Sequence, residues 1–485
     1  MLNIWYPGRM GTNIIDPQPG SVSALAPETE PAALPDNAFP TVEAHAPSQH
    51  RWKAALAVLA AGGLLTACGN TLGGGGTPGT GPTTNYEKYK GPFTAKEAAH
   101  LLRRAAARGN QEDVEYLVNL GLDEAVDYLL GEPDLPVEED PSYFKDYRKY
   151  VHSWADHWLS SRTPAVERLT FFWHGHFATE AVKARYYLSY LKINKLRELS
   201  LGTFRDLLYM IAEDPAMIIY LDSSSNVKGH PNENWARELM ELFTLGLGHY
   251  TEKDIQEIAR AFTGWKVFYE RYDGETIYYF NFDARKHDFS PKQVLGHTVY
   301  NRYNPINEGY EVLDIILGMD QTYRFIGEKL LRYYYRPDPE PEMVDQAAAI
   351  LKSGTVRDFL KWLFTHANFY AEEARYALVK GPFEYGVGLF YAAGHRKLPA
   401  GKDLRNYLRG RLDHDPYNPP NVAGWPIADT GWYSDSNLLY RVKFIDFVLK
   451  PTDEGGEPEE AADYSIFMDG ASEPIDLVAP EAQLL

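Results

Sequence analysis

From Phe93 onward, segment after segment of this chain spaces its apolar residues three and four apart, and a largely helical fold is what buries such a pattern. FTAKEAAHLLRRAAARG shows the type: Thr94 is placed to cap, apolar residues recur at helical spacing, and Gly109 stands where the helix would stop. The same signals predict helices over 111–119, 121–130, 141–159, 163–174, 180–199, 203–212, 232–245 and 251–263. Further ones are expected over 308–317, 320–335, 341–352, 355–365, 379–393, 401–411 and 436–449. One β-hairpin breaks the series, with WKVFYE and TIYYFNF flanking RYDGE and Asp273-Gly274 as its turn. No internal repeat has a solenoid period. The expected fold is mainly α, a large single helical domain over 93–450 with one β-hairpin and long proline-containing loops.

The flanks read differently. Residues 51–68, RWKAALAVLAAGGLLTAC, run from basic to apolar to small residues, the order of an export signal, and the apolar run is short for a membrane span. Leu65-Thr66-Ala67-Cys68 resembles the bacterial lipobox, which implies cleavage before Cys68 and acylation of that residue, the only cysteine of the chain. Segment 1–67 is thus expected to be leader and signal, with translation starting nearer Arg51. The Gly/Thr-rich stretch 68–92 is expected to be a tether. At the other end, 451–485 holds ten acidic residues and no Lys or Arg, the composition of a disordered acidic tail. These readings place the protein outside the cytoplasm, in the cell envelope, held to the membrane by lipid.

The net charge of −19, of which −9 remains without the tail, argues against general nucleic-acid binding. No zinc-finger, P-loop or G-x-S-x-G pattern occurs, and Cys68 is assigned to lipidation, so nucleophilic catalysis has little support.

Three stretches carry candidate chemistry. In FFWHGHF, His174 and His176 would project about 200° apart on a continuous helix. A helix stopped at Gly175 could turn both imidazoles into one cavity, kept dry by Phe172, Trp173 and Phe177. As cap or core residues they would need no function, with His174 favoured by the dipole at the end of a helix capped by Thr163 and begun by Pro164. In HPNENWARELMELFTLGLG, Trp235, Leu239, Leu242 and Phe243 form the apolar flank, while Asn234, Glu238 and Glu241 share a narrow stripe. Glu233–Arg237 and Arg237–Glu241 have the spacing of ion pairs on a solvated face. Farther on, YTEKDIQEIARAFTGW has a Thr251/Asp254 capping box, ARKHDFSPKQVLG puts His287, Asp288 and Lys292 in a loop, and NPPNVAGWP brings Trp425.

Taken in order, FFWHGHF, PAMIIYLD, NENWARELMELFTLGLGHYTEKDI, ARAFTGW, HDFSPKQVLG and PPNVAGWP resemble the motifs of the bacterial domain of unknown function 1800 family, across residues 93–445. The resemblance implies a secreted or envelope-associated helical protein with no established reaction. It also implies a partner similar to the alkaline-phosphatase-like sulfatases. Many members have His where this chain has Phe243, so that position is no essential ligand here.

The leading expectation is a His/carboxylate site binding a divalent metal such as Zn, Mn or Fe, through His174, His176, Glu238, Glu241 and His287. Glu238, His176 and Lys292 would be the catalytic groups of a hydrolase or oxidoreductase, and His230 reads as a loop residue. The alternative is a non-catalytic envelope binding or assembly protein engaging a partner protein or polysaccharide. A metal-free glycan-active enzyme is a third reading, although Glu238 and Glu241 stand too close together to bracket a glycosidic bond unaided.

Overall fold

The computed structural model describes residues 87–136, 146–272, 275–427, 432 and 434–449, all within one compact unit of the chain, Ser48–Leu485. Residues 1–67, Cys68, the Asp273-Gly274 turn and the acidic segment 451–485 lie outside the described residues. The fold is mainly α, as the apolar spacing predicts. The end of the expected 68–92 tether is instead docked on the body: Lys88 forms a β-bridge with His366, and the Tyr89 amide donates to the Thr365 carbonyl at 2.8 Å.

Helix Pro164–His176 sits at the centre. Every one of its residues except Gly175 is buried, as happens when a helix is packed on all sides. Phe172 and Trp173 face a large core shared with helices Ala95–Ala105, Phe204–Glu213, Glu252–Ala261, Asn307–Gly318, Asp320–Tyr334 and Val356–Phe364. Phe171 faces a second core with helices Arg148–Ser160, Pro382–Ala392 and Leu404–Leu412 and with Tyr417, Trp425 and Trp432. A buried acid anchors the same helix: Glu167 accepts from Arg197 Nε at 2.6 Å and from Trp154 Nε1 at 3.0 Å. Burial works against its charge, but Arg197 and His157 outweigh that and hold its carboxyl down at about 2.

Several expected elements change at specific residues. The 163–174 helix runs on through Gly175 to His176, so Gly175 does not stop it. Expected helix 180–199 divides at Arg185, whose φ of 75° separates Ala181–Ala184 from Tyr186–Leu199. The expected helix 232–245 is α-helical only over Asn234–Glu238 and then widens to a π-helix over Leu239–Thr244. The hairpin forms as expected, Trp265–Tyr272 against Glu275–Phe282, with Trp265 opposite Phe282. A second, three-residue hairpin joins Lys292–Val294 to His297–Val299. Leu295 and Gly296, at φ 50° and 83°, supply the two left-handed residues that such a tight turn demands. Helices Asp320–Tyr334 and Pro341–Ser353 meet at Gly327, where a Cβ would sit 3.0 Å from that of Ala347.

Candidate functional site

Because the central helix is unbroken, its two histidines enter opposite cores. His174 Nε2 donates to the Pro416 carbonyl at 2.9 Å, with the ring among Trp154, Tyr417 and Trp425. His176 Nε2 donates to the Phe243 carbonyl at 3.1 Å, and its Nδ1 accepts from Lys329 Nζ at 3.1 Å. With both ring nitrogens engaged, His176 has no lone pair left for a metal, whereas the buried Nδ1 of His174 has no hydrogen-bond partner. Burial holds both histidines well below their ordinary pKa; Lys192 also lowers His174, and Lys329 also lowers His176. They are neutral side chains in dry surroundings.

His176 closes the end of a neighbouring helix. The π-helical segment Leu239–Thr244 leaves carbonyls without helical partners. His176 takes that of Phe243, Lys329 takes that of Leu242 at 3.3 Å, and Gln321 takes that of Leu245 at 2.9 Å. Thr244 adds its own hydroxyl to the Leu239 carbonyl. The motifs FFWHGHF and NENWARELMELFTLGLG are joined by a donated hydrogen bond.

The residues of the acidic stripe are divided among several partners. Asn234 donates to the Leu221 carbonyl at 3.3 Å, and Glu241 accepts from Tyr250 at 3.1 Å. Arg237 pairs with Glu233 as the spacing predicts, but its second partner is Glu252 at 2.8 Å and not Glu241. Glu238 is half-buried, and burial together with the charge of Glu241 pushes its carboxyl up.

His287 and Lys292 meet around an acid that the motifs did not flag. Lys292 Nζ is bonded to Glu308 Oε2 and the Asp288 carbonyl, and lies 3.4 Å from His287 Nε2. His287 Nε2 is 3.2 Å from the same Glu308 oxygen, and its Nδ1 is 2.8 Å from the Thr263 carbonyl. All three side chains are fully buried. Burial opposes the Glu308 charge, but hydrogen bonds from His287, the Asn301 amide and Lys292 keep its carboxyl below the usual range. No solvent reaches this group, so it acts as a clamp between the HDFSPKQVLG loop and helix Asn307–Gly318.

The remaining motif, PPNVAGWP, comes to rest on Gly175. Gly424, at φ 80°, lies against the Gly175 carbonyl so closely that a Cβ there would overlap it. That contact lays Trp425 over the helix, stacked on Phe171 at 5.4 Å and on His414 at 5.1 Å. Beside it opens a cleft of about 40 Å³ walled by Phe171, Trp425 and Trp432, with Leu378, Val379 and Ile427 half-buried at its edge. Its floor is polar and closed on itself. Glu384 accepts from Arg168 at 2.7 Å, Tyr333 at 2.7 Å and the Gly381 amide at 2.9 Å. Arg168 also lies 4.4 Å from the Tyr333 ring.

A family model described as "Protein of unknown function (DUF1800)" matches residues 100–479. The chain belongs to the DUF1800 family. The match reaches past 451 into the acidic segment. No curated protein and no solved structure matches the chain.

Within this DUF1800 protein, the expected metal ligands do not converge. Among the described residues no three or more His, Cys, Asp or Glu side chains are grouped so as to hold a metal ion. Nor is any helix of the described residues long and apolar enough to cross a membrane. Of the residues missed from sequence, Glu384 left a signal, being the one charge within GPFEYGVGLFYAAG. Glu308 and Lys329 left none, since a Glu in a first turn or a Lys on an amphipathic helix is ordinary.

Proposed function

We propose that this DUF1800 protein is a lipid-anchored binding protein of the cell envelope that takes a side chain of a partner protein into its aromatic cleft. The carrying observation is the Gly175–Gly424 contact, which spends two motifs on building an aromatic wall over a polar floor. Arg168, Glu384 and Tyr333 satisfy one another, so the floor orients a guest and has no free acid or base to give it. Space for about three waters suits one side chain and is too small for a sugar ring. The histidines and Lys292 named as metal ligands or catalytic groups each have a structural partner, which favours binding over a His/carboxylate metalloenzyme. Cys68 supplies the anchor, and the part of the 68–92 stretch that precedes the docked Lys88 supplies the reach to a neighbour at the membrane.

A photo-crosslinking residue at Ile427, introduced in the living bacterium, tests this. The expected result is one dominant protein adduct, absent when the same residue replaces the exposed Leu247 and weakened by Trp432→Ala. Equal adducts from both positions, or none from Ile427, would contradict it.

A further inference from the structure

A second cleft, of about 190 Å³, lies apart from the aromatic one, and its lining includes Arg108, Arg162, Arg396, Tyr116, Tyr128 and Tyr391. Its charge is out of balance. The guanidinium carbons of Arg108 and Arg396 lie 4.0 and 3.8 Å from the centroid of the same ring, Tyr391, and no carboxylate bridges them among the described residues. Asp113 is the acid lining the cleft, and it is committed to the Asn110 amide at 2.9 Å and the Tyr391 hydroxyl at 3.3 Å. Arg162 stands 87% exposed at the rim, 3.8 Å from Asp134. Arg108 is only 6% exposed, and its Nε has no hydrogen-bond partner although Nη2 donates to the Ser161 carbonyl.

Buried guanidinium N–H groups are costly to leave unpaired, and two like charges sharing a ring repel. Both costs vanish when an oxyanion enters, because guanidinium forks match phosphate and carboxylate oxygens. Tyr116 and Tyr128, edge to face at 5.1 Å and each nearly half exposed, offer aromatic surface beside it. The volume admits about a dozen water-sized positions, enough for one six-membered ring and its substituent.

We infer that this cleft binds an anionic monosaccharide unit, with its phosphate or carboxylate paired to the guanidinium groups that line the cleft and its ring against Tyr116 and Tyr128. The inference stands independently of the partner-protein reading of the aromatic cleft. Titration calorimetry of the full chain at low salt, with glucose 6-phosphate, glucuronic acid, glucose and inorganic phosphate, tests it. Both anionic sugars should bind at least tenfold more tightly than glucose or inorganic phosphate, and binding should weaken with added salt. Arg396→Gln, at an exposed position, should lower that affinity at least tenfold, while Arg409→Gln should leave it unchanged. The inference is overturned if neither anionic sugar binds, if inorganic phosphate binds as tightly, or if Arg396→Gln has no effect.

Discussion

Gly424 touches the backbone of Gly175, and a Cβ on Gly424 would overlap the Gly175 carbonyl. Only one of the two glycines has to be glycine. Gly424 needs both its positive φ and the absence of a Cβ, so Gly424→Ala should destabilise the protein by more than about 2 kcal/mol. Gly175 is an ordinary helical residue whose added Cβ would meet Trp425 at 3.4 Å, a normal contact. Gly175→Ala should therefore change stability by no more than about 1 kcal/mol, aided by better helix propensity. Denaturant midpoints of the two variants check the contrast; a severe loss at Gly175 would restore its reading as a helix stop.

Acid should weaken the fold before any carboxylate with an ordinary pKa titrates. Burial lowers the pKa of His100, His174 and His176 well below the usual value, that of His366 to about 4 and that of His414 to about 3. In the unfolded chain these groups protonate near pH 6.5. Their contribution is complete above that pH and is lost as pH falls, since only the unfolded state takes up the protons. The slope is about 1.4 kcal/mol per pH unit for each histidine. Asp214, raised to about 6 by burial, offsets part of it because the folded state then holds its proton. Melting temperatures should fall steadily from pH 7 to pH 5; a flat profile would contradict the buried, neutral assignment.

The clamp at Lys292 should behave as a buried ion pair. Lys292→Met leaves Glu308 charged and partly unpaired in a dry site, at a cost of about 3–5 kcal/mol. Adding Glu308→Leu should recover part of that loss, since it removes the stranded charge but leaves the Asn301 amide and His287 without their acceptor. Urea unfolding of the single and double variants measures it. A double variant no better than the single would assign Glu308 a role beyond the pair.

Helices, caps and the first hairpin were legible because their signals are local. Thr94 caps its helix and the Thr251/Asp254 capping box forms, as their positions say. The second hairpin was not, because its strands have three residues and its turn puts Leu295 in a conformation that leucine rarely adopts. The surroundings of the candidate residues are not legible where packing overrides local rules. Gly175 looks like a stop, yet PPNVAGWP requires a small residue inside a continuing helix. The Asn234/Glu238/Glu241 stripe assumes 100° per residue, which holds from Asn234 to Glu238 and not in the π-turn that begins at Leu239. The partners that fixed His176 and Lys292, namely Lys329 and Glu308, lie 153 and 16 residues away, beyond any motif.

His176 ties its own helix to the π-helical segment through the Phe243 carbonyl. His176→Ala in tag-free protein, with melting temperature and metal content measured on the same samples, tests it most directly. Loss of the bond to Phe243, with Lys329 left unaccepted, should cost about 1–3 kcal/mol and lower the melting temperature by several degrees. Metal should be far below one ion per chain in both wild type and variant. One ion per wild-type chain, lost on His176→Ala with the melting temperature of the metal-free fold unchanged, would contradict the account and restore the metal centre.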